Sequence, residues 1–161
     1  MSLLALQVGF LGHLSGRENI ILSAMFMGMS KAEISSKLES VIDFSGLGEF
    51  IDQPVSVYSA GMRARLGFSV ALNVDADVFL VDEIIAVGDG GFQKKARTAI
   101  REKISQGKTA VIVSHNLNLI REWCDRAIWL DSGNIVQSGI PSDVISAYQA
   151  QLGIIGAGNK R

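Results

Sequence analysis

The sequence predicts an α/β fold with parallel strands, preceded by a helical subdomain. Three observations carry this. Two short runs dominated by apolar residues, Val78-Phe79-Leu80-Val81 and Thr109-Ala110-Val111-Ile112-Val113, read as buried strands of a sheet covered on both faces. Between them, Gln93 to Gln106 has helical period, with Ala96, Ile100 and Ile104 on one face. Strand, helix, strand in succession demands a crossover, hence parallel pairing. Residues 1 to about 55, by contrast, show helical spacing and no convincing strand pattern.

The elements follow in order. Arg17 to Met29 is an apolar helix rich in Met and Ile. Ser30-Lys31-Ala32-Glu33 is a capping box, and Ile34, Leu38, Val41 and Ile42 recur behind it at helical spacing up to a stop at Gly46. After Pro54 the pattern changes. Residues 60 to 73 form a helix apolar almost all round, with Met62, Leu66, Phe68, Val70 and Leu72, which implies burial. Asp75-Ala76-Asp77 is a turn before the first strand, and Gly107 closes the helix that follows it. A short helix lies near Leu117 to Cys124. Ala127 to Leu130 and Ile135 to Gln137 make a hairpin around Asp131-Ser132-Gly133-Asn134. Pro141-Ser142 opens a last helix to about Leu152, with Val144, Ile145 and Tyr148 inward. Gly153 to Arg161 reads as a frayed tail. The expected division is 1–72 helical subdomain, 73–152 α/β core and 153–161 tail.

Bulk properties exclude several classes. A net charge of -1 over 161 residues gives no electrostatic basis for binding nucleic acid or an anionic membrane. One cysteine, Cys124, excludes an internal disulfide framework and reads as a small core hydrophobe, in keeping with a reducing compartment. No apolar run is long enough to span a bilayer, and Met1-Ser2-Leu3 does not begin a secretory signal.

Three places can do chemistry. Asp82-Glu83 ends a buried strand, where open α/β sheets put their ligands. An Asp there can hold Mg²⁺ directly or through water, and the adjacent Glu can polarise an attacking water. A strand end that simply meets solvent fits the same run. His115 follows the second strand and can contact a phosphate; alone, it equally suits a structural histidine. Ser59-Ala60-Gly61 opens the buried helix, where small residues and unpaired N–H groups suit a phosphate, or an ordinary Ser cap. Gly107-Lys108-Thr109 ends like a phosphate loop, but position 102 is Glu where G-x-x-x-x-G-K-[ST] needs Gly, and the tripeptide follows a helix and opens a strand.

In order and spacing, Ser59-Ala60-Gly61-Met62, Val78 to Glu83, Ala86-Val87-Gly88-Asp89 and Ser114-His115 resemble four motifs of ABC transporter ATPase subunits. They look like the signature, Walker B with its catalytic Glu, the D-loop and the switch histidine. Leu14-Ser15-Gly16-Arg17-Glu18-Asn19-Ile20, Tyr58 to Phe68, and Phe92-Gln93-Lys94 after the D-loop are similar to the exporters of capsule, O-antigen and teichoic-acid polysaccharides. The signature departs from LSGGQ at Tyr58, Ala60 and Met62; Tyr and Met there also occur in those exporters. Gln7 lies near the place of the Q-loop without a settled register.

The resemblance implies an ABC ATPase, a P-loop NTPase type of parallel sheet lacking its N-terminal part and the Walker A loop, plus a helical subdomain. It implies ATP and Mg²⁺ as cofactors, with Asp82 supporting the metal, Glu83 polarising water and His115 contacting the γ-phosphate. Ser59, Ala60 and Gly61 would bind the ATP of a second ATPase subunit in a homodimer, and Asp89 would couple the two sites. The partners implied are that subunit and an integral membrane permease, at the cytoplasmic face of the inner membrane, with no nucleic acid. With no phosphate loop in the sequence, the isolated chain is expected not to turn over ATP. The competing reading is a truncated, inactive ABC domain that folds or self-associates. A DNA-repair or chromosome ABC ATPase is disfavoured, because the chain has neither a coiled-coil insertion nor a basic face.

Overall fold

The computed structural model describes residues 9–82 and 88–153. In chain order these form α1 (Gly16–Phe26), α2 (Lys31–Ser45), two short 3₁₀ turns (Gly48–Asp52 and Val55–Val57), α3 (Ala60–Asn73) and β1 (Val78–Asp82). Then come α4 (Gly90–Ser105), β2 (Thr109–Val113), α5 (Leu117–Trp123), β3 (Ala127–Asp131), β4 (Asn134–Gly139) and α6 (Pro141–Gln151). The chain divides into two compact units, the first ending at Val111 and the second beginning at Ile112.

In the first unit, α1 and α2 both open on a capping box. The Ser15 N–H donates to Glu18 Oε2 at 2.8 Å and the Glu18 N–H returns to Ser15 Oγ at 3.2 Å. Ser30 and Glu33 repeat the exchange at 2.8 and 3.3 Å. The Ser15 amide and the Ser30 hydroxyl, respectively, are the main groups that hold these glutamates below the usual carboxylate range. A depressed folded pKa contributes stability above the ordinary glutamate value, and that stability is lost as pH falls through the folded pKa. The thermal midpoint is therefore expected to fall between about pH 5 and about pH 3, and Glu33→Gln to flatten that slope in a pH series of melts.

α2 stops at Gly46, which is left-handed. One core gathers Ile20, Ala24, Ile34, Val41, Ile42, Leu47, Ile51, Val55 and Tyr58 around Leu66 and Val70 of α3. α3 has the bounds its sequence predicts and is buried nearly all round from Ala64 to Leu72. A ring cluster ties α4 to this helical layer: Phe68 stacks on Phe44 at 6.2 Å, and Phe92 meets both edge-on at 5.7 Å. α4 begins at Gly90, three residues before the expected Gln93, because Asp89 caps it.

β1 and β2 pair. The Thr109 N–H donates to the Asp77 carbonyl at 3.0 Å, so the strands start side by side, as parallel pairing requires. The expectation of strands covered on both faces is corrected. Phe79 and Val81 are buried, packing with Leu72, Ile100 and Ile104, but Val78 and Leu80 are 41% and 38% exposed and Val111 is 51% exposed. α3 and α4 cover one face of β1. The other face, with Val78 and Leu80, is left partly exposed.

In the second unit, β3 and β4 pair antiparallel from Ala127↔Gly139 to Asp131↔Asn134, with an irregularity at Trp129/Leu130. Ser132 and Gly133 both have positive φ, 48° and 79°, which makes the two-residue hairpin turn that matches strand twist. α6 starts at Pro141 and buries Val144 and Ile145, while Tyr148 meets Trp129 edge-on at 5.4 Å. Cys124 is half-buried and its thiol is pushed up by burial, as befits packing rather than reactivity. No helix among the described residues is long and apolar enough to cross a membrane.

Candidate functional site

The N-terminus of α3 carries the first group of candidates. Ser59 is the cap, its Oγ accepting from the Met62 N–H at 3.2 Å. Ala60 and Gly61 begin the helix, where amides have no intrahelical partner. Among the described residues a Cβ on Gly61 would meet only Ser59 Oγ, at 3.8 Å, so they leave the approach to this turn open. Ala60 is exposed.

Tyr58, the departure just before the cap, is buried and its hydroxyl donates to the Phe50 carbonyl. A Cβ on Gly16 would collide with that hydroxyl. The tyrosine and the glycine of Gly16-Arg17-Glu18-Asn19 are thus complementary: one supplies the ring, the other the room. Asn19, wholly buried, accepts from the Leu11 N–H and donates to the Leu11, Leu14 and Ser15 carbonyls, fixing the turn before α1.

Asp82 is the last residue of β1 and half-buried. A single carboxylate at a strand's carboxyl end fits Mg²⁺, which keeps waters and phosphate oxygens for its other positions. Glu83, with Ala86 and Val87, lies outside the described residues, as does Gln7. Asp89 caps α4: its Oδ1 accepts from the Phe92 N–H at 2.9 Å, while its Oδ2 faces Arg65 Nη1 of α3 at 3.6 Å. The Phe92 amide, more than the Arg65 charge, holds this carboxyl below the usual range.

His115 lies in the second unit, just after β2, and lines a groove of about 460 Å³ with Ser114, Trp129 and Tyr148. Ser114 Oγ accepts from the Asn116 N–H at 3.1 Å, and Asn116 caps α5. Lys108 pairs with Asp75 at 2.9 Å and Asp77 at 3.6 Å, beside the start of β2. It is a strand-turn clamp, as the sequence argument against a phosphate loop requires.

The structure therefore brings Ser59, Ala60 and Gly61 to one helix end and links Asp89 to that same helix through Arg65. Arg65 lies within the Tyr58 to Phe68 stretch that resembles the exporters, but the resemblance assigns it no role. Only its i+6 spacing from the Ser59 cap places it on the shared helix, and packing does the rest.

No protein-family model matches the chain. Over 153 residues it is 44% identical to the O-antigen export system ATP-binding protein RfbB of Myxococcus xanthus, covering 95% of this chain and 35% of that protein. It is 45% identical over 149 residues to the teichoic acids export ATP-binding protein TagH of Lactococcus lactis, covering 92% and 32%. With RfbB of Klebsiella pneumoniae the identity is 43%, covering 94% and 61%. The chain thus spans between about a third and three-fifths of these relatives' lengths. Its fold matches the ATP-binding subunit of an ABC transporter with a TM-score of 0.73 at 21% identity, over 93% of this chain and 61% of that one. It also matches a dimeric ATP-binding cassette bound to ADP and Pi, with a TM-score of 0.64 at 24% identity, over 84% and 60%. Over nine-tenths or more of its length the chain is thus similar to the ATP-binding proteins of O-antigen and teichoic acid export systems, and it has the fold of an ABC ATPase domain.

Proposed function

We propose that this chain is part of the ATP-binding and ATP-hydrolysing subunit of an ABC exporter that moves a lipid-linked polysaccharide. The observation that carries the proposal is the 44% identity to an O-antigen export ATP-binding protein over 95% of the chain. The openness of α3 at Ser59 and Gly61 and the strand-end position of Asp82 support it.

In this reading, residues 1–72 form the signature subdomain, 73–152 the C-terminal part of the ATPase core, and 153–161 the tail. Bound ATP with Mg²⁺ supplies a phosphoanhydride whose γ-phosphoryl is open to in-line attack by water. Asp82 supports the metal. Glu83 orients and polarises the water. His115 donates a hydrogen bond to a terminal phosphate oxygen. Ser59 and the amides of Ala60 and Gly61 reach the nucleotide of a second, identical subunit, favoured by the partial positive charge of the helix end. Asp89 links the two sites. The assembly docks on an integral permease at the cytoplasmic face of the inner membrane.

The test is phosphate release by the full-length parent. Turnover that requires Mg²⁺ and stops on chelation is the expected result; a parent with no Mg²⁺-dependent turnover sinks the proposal. The 161-residue chain, which contains no G-x-x-x-x-G-K-[ST], is expected to bind ATP at best in the millimolar range by calorimetry.

The partly exposed face of β1 favours a second behaviour for the chain by itself. Val78, Leu80 and Val111 present apolar side chains to water. Sedimentation should show concentration-dependent self-association, and Leu80→Thr with Val111→Thr should weaken it about tenfold. A monomer at every concentration would reject it.

A further inference from the structure

Arg65 sits where three pieces of the first unit meet. Its side chain is only 22% exposed. A Cβ on Gly88 would lie 3.1 Å from its Cγ and 3.2 Å from its Cδ, so the stem packs directly on the Gly88 backbone. Gly88 has φ +77°, and glycine therefore answers both the conformation and the close approach. The guanidinium carbon stands 6.0 Å from the centre of the Phe92 ring. Nη1 then faces Asp89 Oδ2 at 3.6 Å, while Asp89 Oδ1 is occupied by the Phe92 N–H at 2.9 Å. The two oxygens of one carboxylate are held from two different helices, α3 and α4.

An ion pair of this length, with Asp89 69% exposed, contributes little to stability. What it restricts is geometry. One oxygen caps α4 and the other faces a packed guanidinium, so the Asp89 carboxylate takes contacts from both α4 and α3, the helix that Ser59 caps. The flat, forked head of Arg also packs on Phe92 in a way an ammonium cannot.

We infer that Arg65 is a positioning residue that orients the Asp89 carboxylate relative to the helix opened by Ser59, and so ties the setting of the candidate coupling residue to the candidate nucleotide-binding turn. For its effect on turnover, though not for its effect on Asp89, this rests on the function proposed above.

The first measurement uses the 161-residue chain and needs no activity. Amide hydrogen exchange is followed in the wild type, in Arg65→Met, which keeps the stem, and in Arg65→Lys, which keeps stem and charge. Arg65→Met should lower protection at the Phe92 amide about tenfold while leaving Leu66 to Leu72 unchanged, with Arg65→Lys in between. Unchanged protection at Phe92, or a loss spread evenly along α3, overturns the inference. The second measurement is steady-state ATP hydrolysis by the full-length parent. Arg65→Met should lower kcat about tenfold and move KM for ATP by less than about twofold, with partial recovery in Arg65→Lys. The double variant with Asp89→Asn should be no slower than the slower single variant. Undiminished kcat, or losses that simply add, overturns the inference. A wild-type parent that never turns over ATP instead rejects the proposed function, and the exchange experiment still decides the role of Arg65.

Discussion

Glu83→Gln in the full-length parent is expected to lower ATP turnover by about 10²- to 10⁴-fold while leaving ATP binding intact. The glutamine keeps the size of the glutamate side chain and removes its negative charge and basic oxygen. If Glu83 polarises the attacking water, only the chemical step suffers, so kcat falls and the nucleotide dissociation constant does not change. Single-turnover phosphate release measures the first quantity, and calorimetry with ATP and Mg²⁺ the second. Turnover within about threefold of wild type would remove Glu83 from the chemistry. The neighbouring Asp82→Asn is expected to behave differently. A weakened metal contact raises the Mg²⁺ concentration needed for half-maximal turnover, which a titration distinguishes from a loss at saturating metal.

Phe68→Ala is expected to cost about 3–5 kcal/mol, measured as a shift of the urea midpoint. Phe68 is 1% exposed and touches both other rings of the cluster, Phe44 at 6.2 Å and Phe92 at 5.7 Å. Its loss leaves a cavity where α2, α3 and α4 meet, and fixed helices collapse poorly into such a space. The cost is a large part of the 5–15 kcal/mol that typically separates folded from unfolded chains, so partial unfolding at room temperature is also expected. Phe92→Leu should be milder, because it keeps most of the volume. A Phe68→Ala variant destabilised by less than about 1 kcal/mol would mean that the three rings do not form the joint between α3 and α4.

Much of the local structure was legible because its causes are neighbours in sequence. The bounds of α3 follow from the Ser59 cap and an unbroken apolar run, and Ser30-Lys31-Ala32-Glu33 announces the start of α2 by the chemistry of four adjacent residues. The Ser15–Glu18 box that opens α1 has the same form. Asp131-Ser132-Gly133-Asn134 specifies its own turn. The apolar period alone starts α4 at Gln93, three residues late, because Asp89 reads as part of a motif and only its bond to the Phe92 N–H shows it to be a cap. The candidate site was legible as an ordered set of motifs, each a short string whose chemistry survives without coordinates.

The sequence by itself therefore determined the fold class and the order of elements, and it supplied the family resemblance from which the candidate residues are drawn. Tertiary structure decided what depends on residues far apart in the chain. It decided which side chains of β1 find partners within the described residues: Phe79 and Val81 pack against α3 and α4, whereas Val78 and Leu80 stay partly exposed. It fitted Tyr58 against Gly16 and set Arg65 over Gly88, facing Asp89. The physical reason is the same in each case. Capping, turns and periodicity are decided within a few residues of chain, while burial and the direction of a charged side chain are decided by whichever distant element occupies the adjoining space.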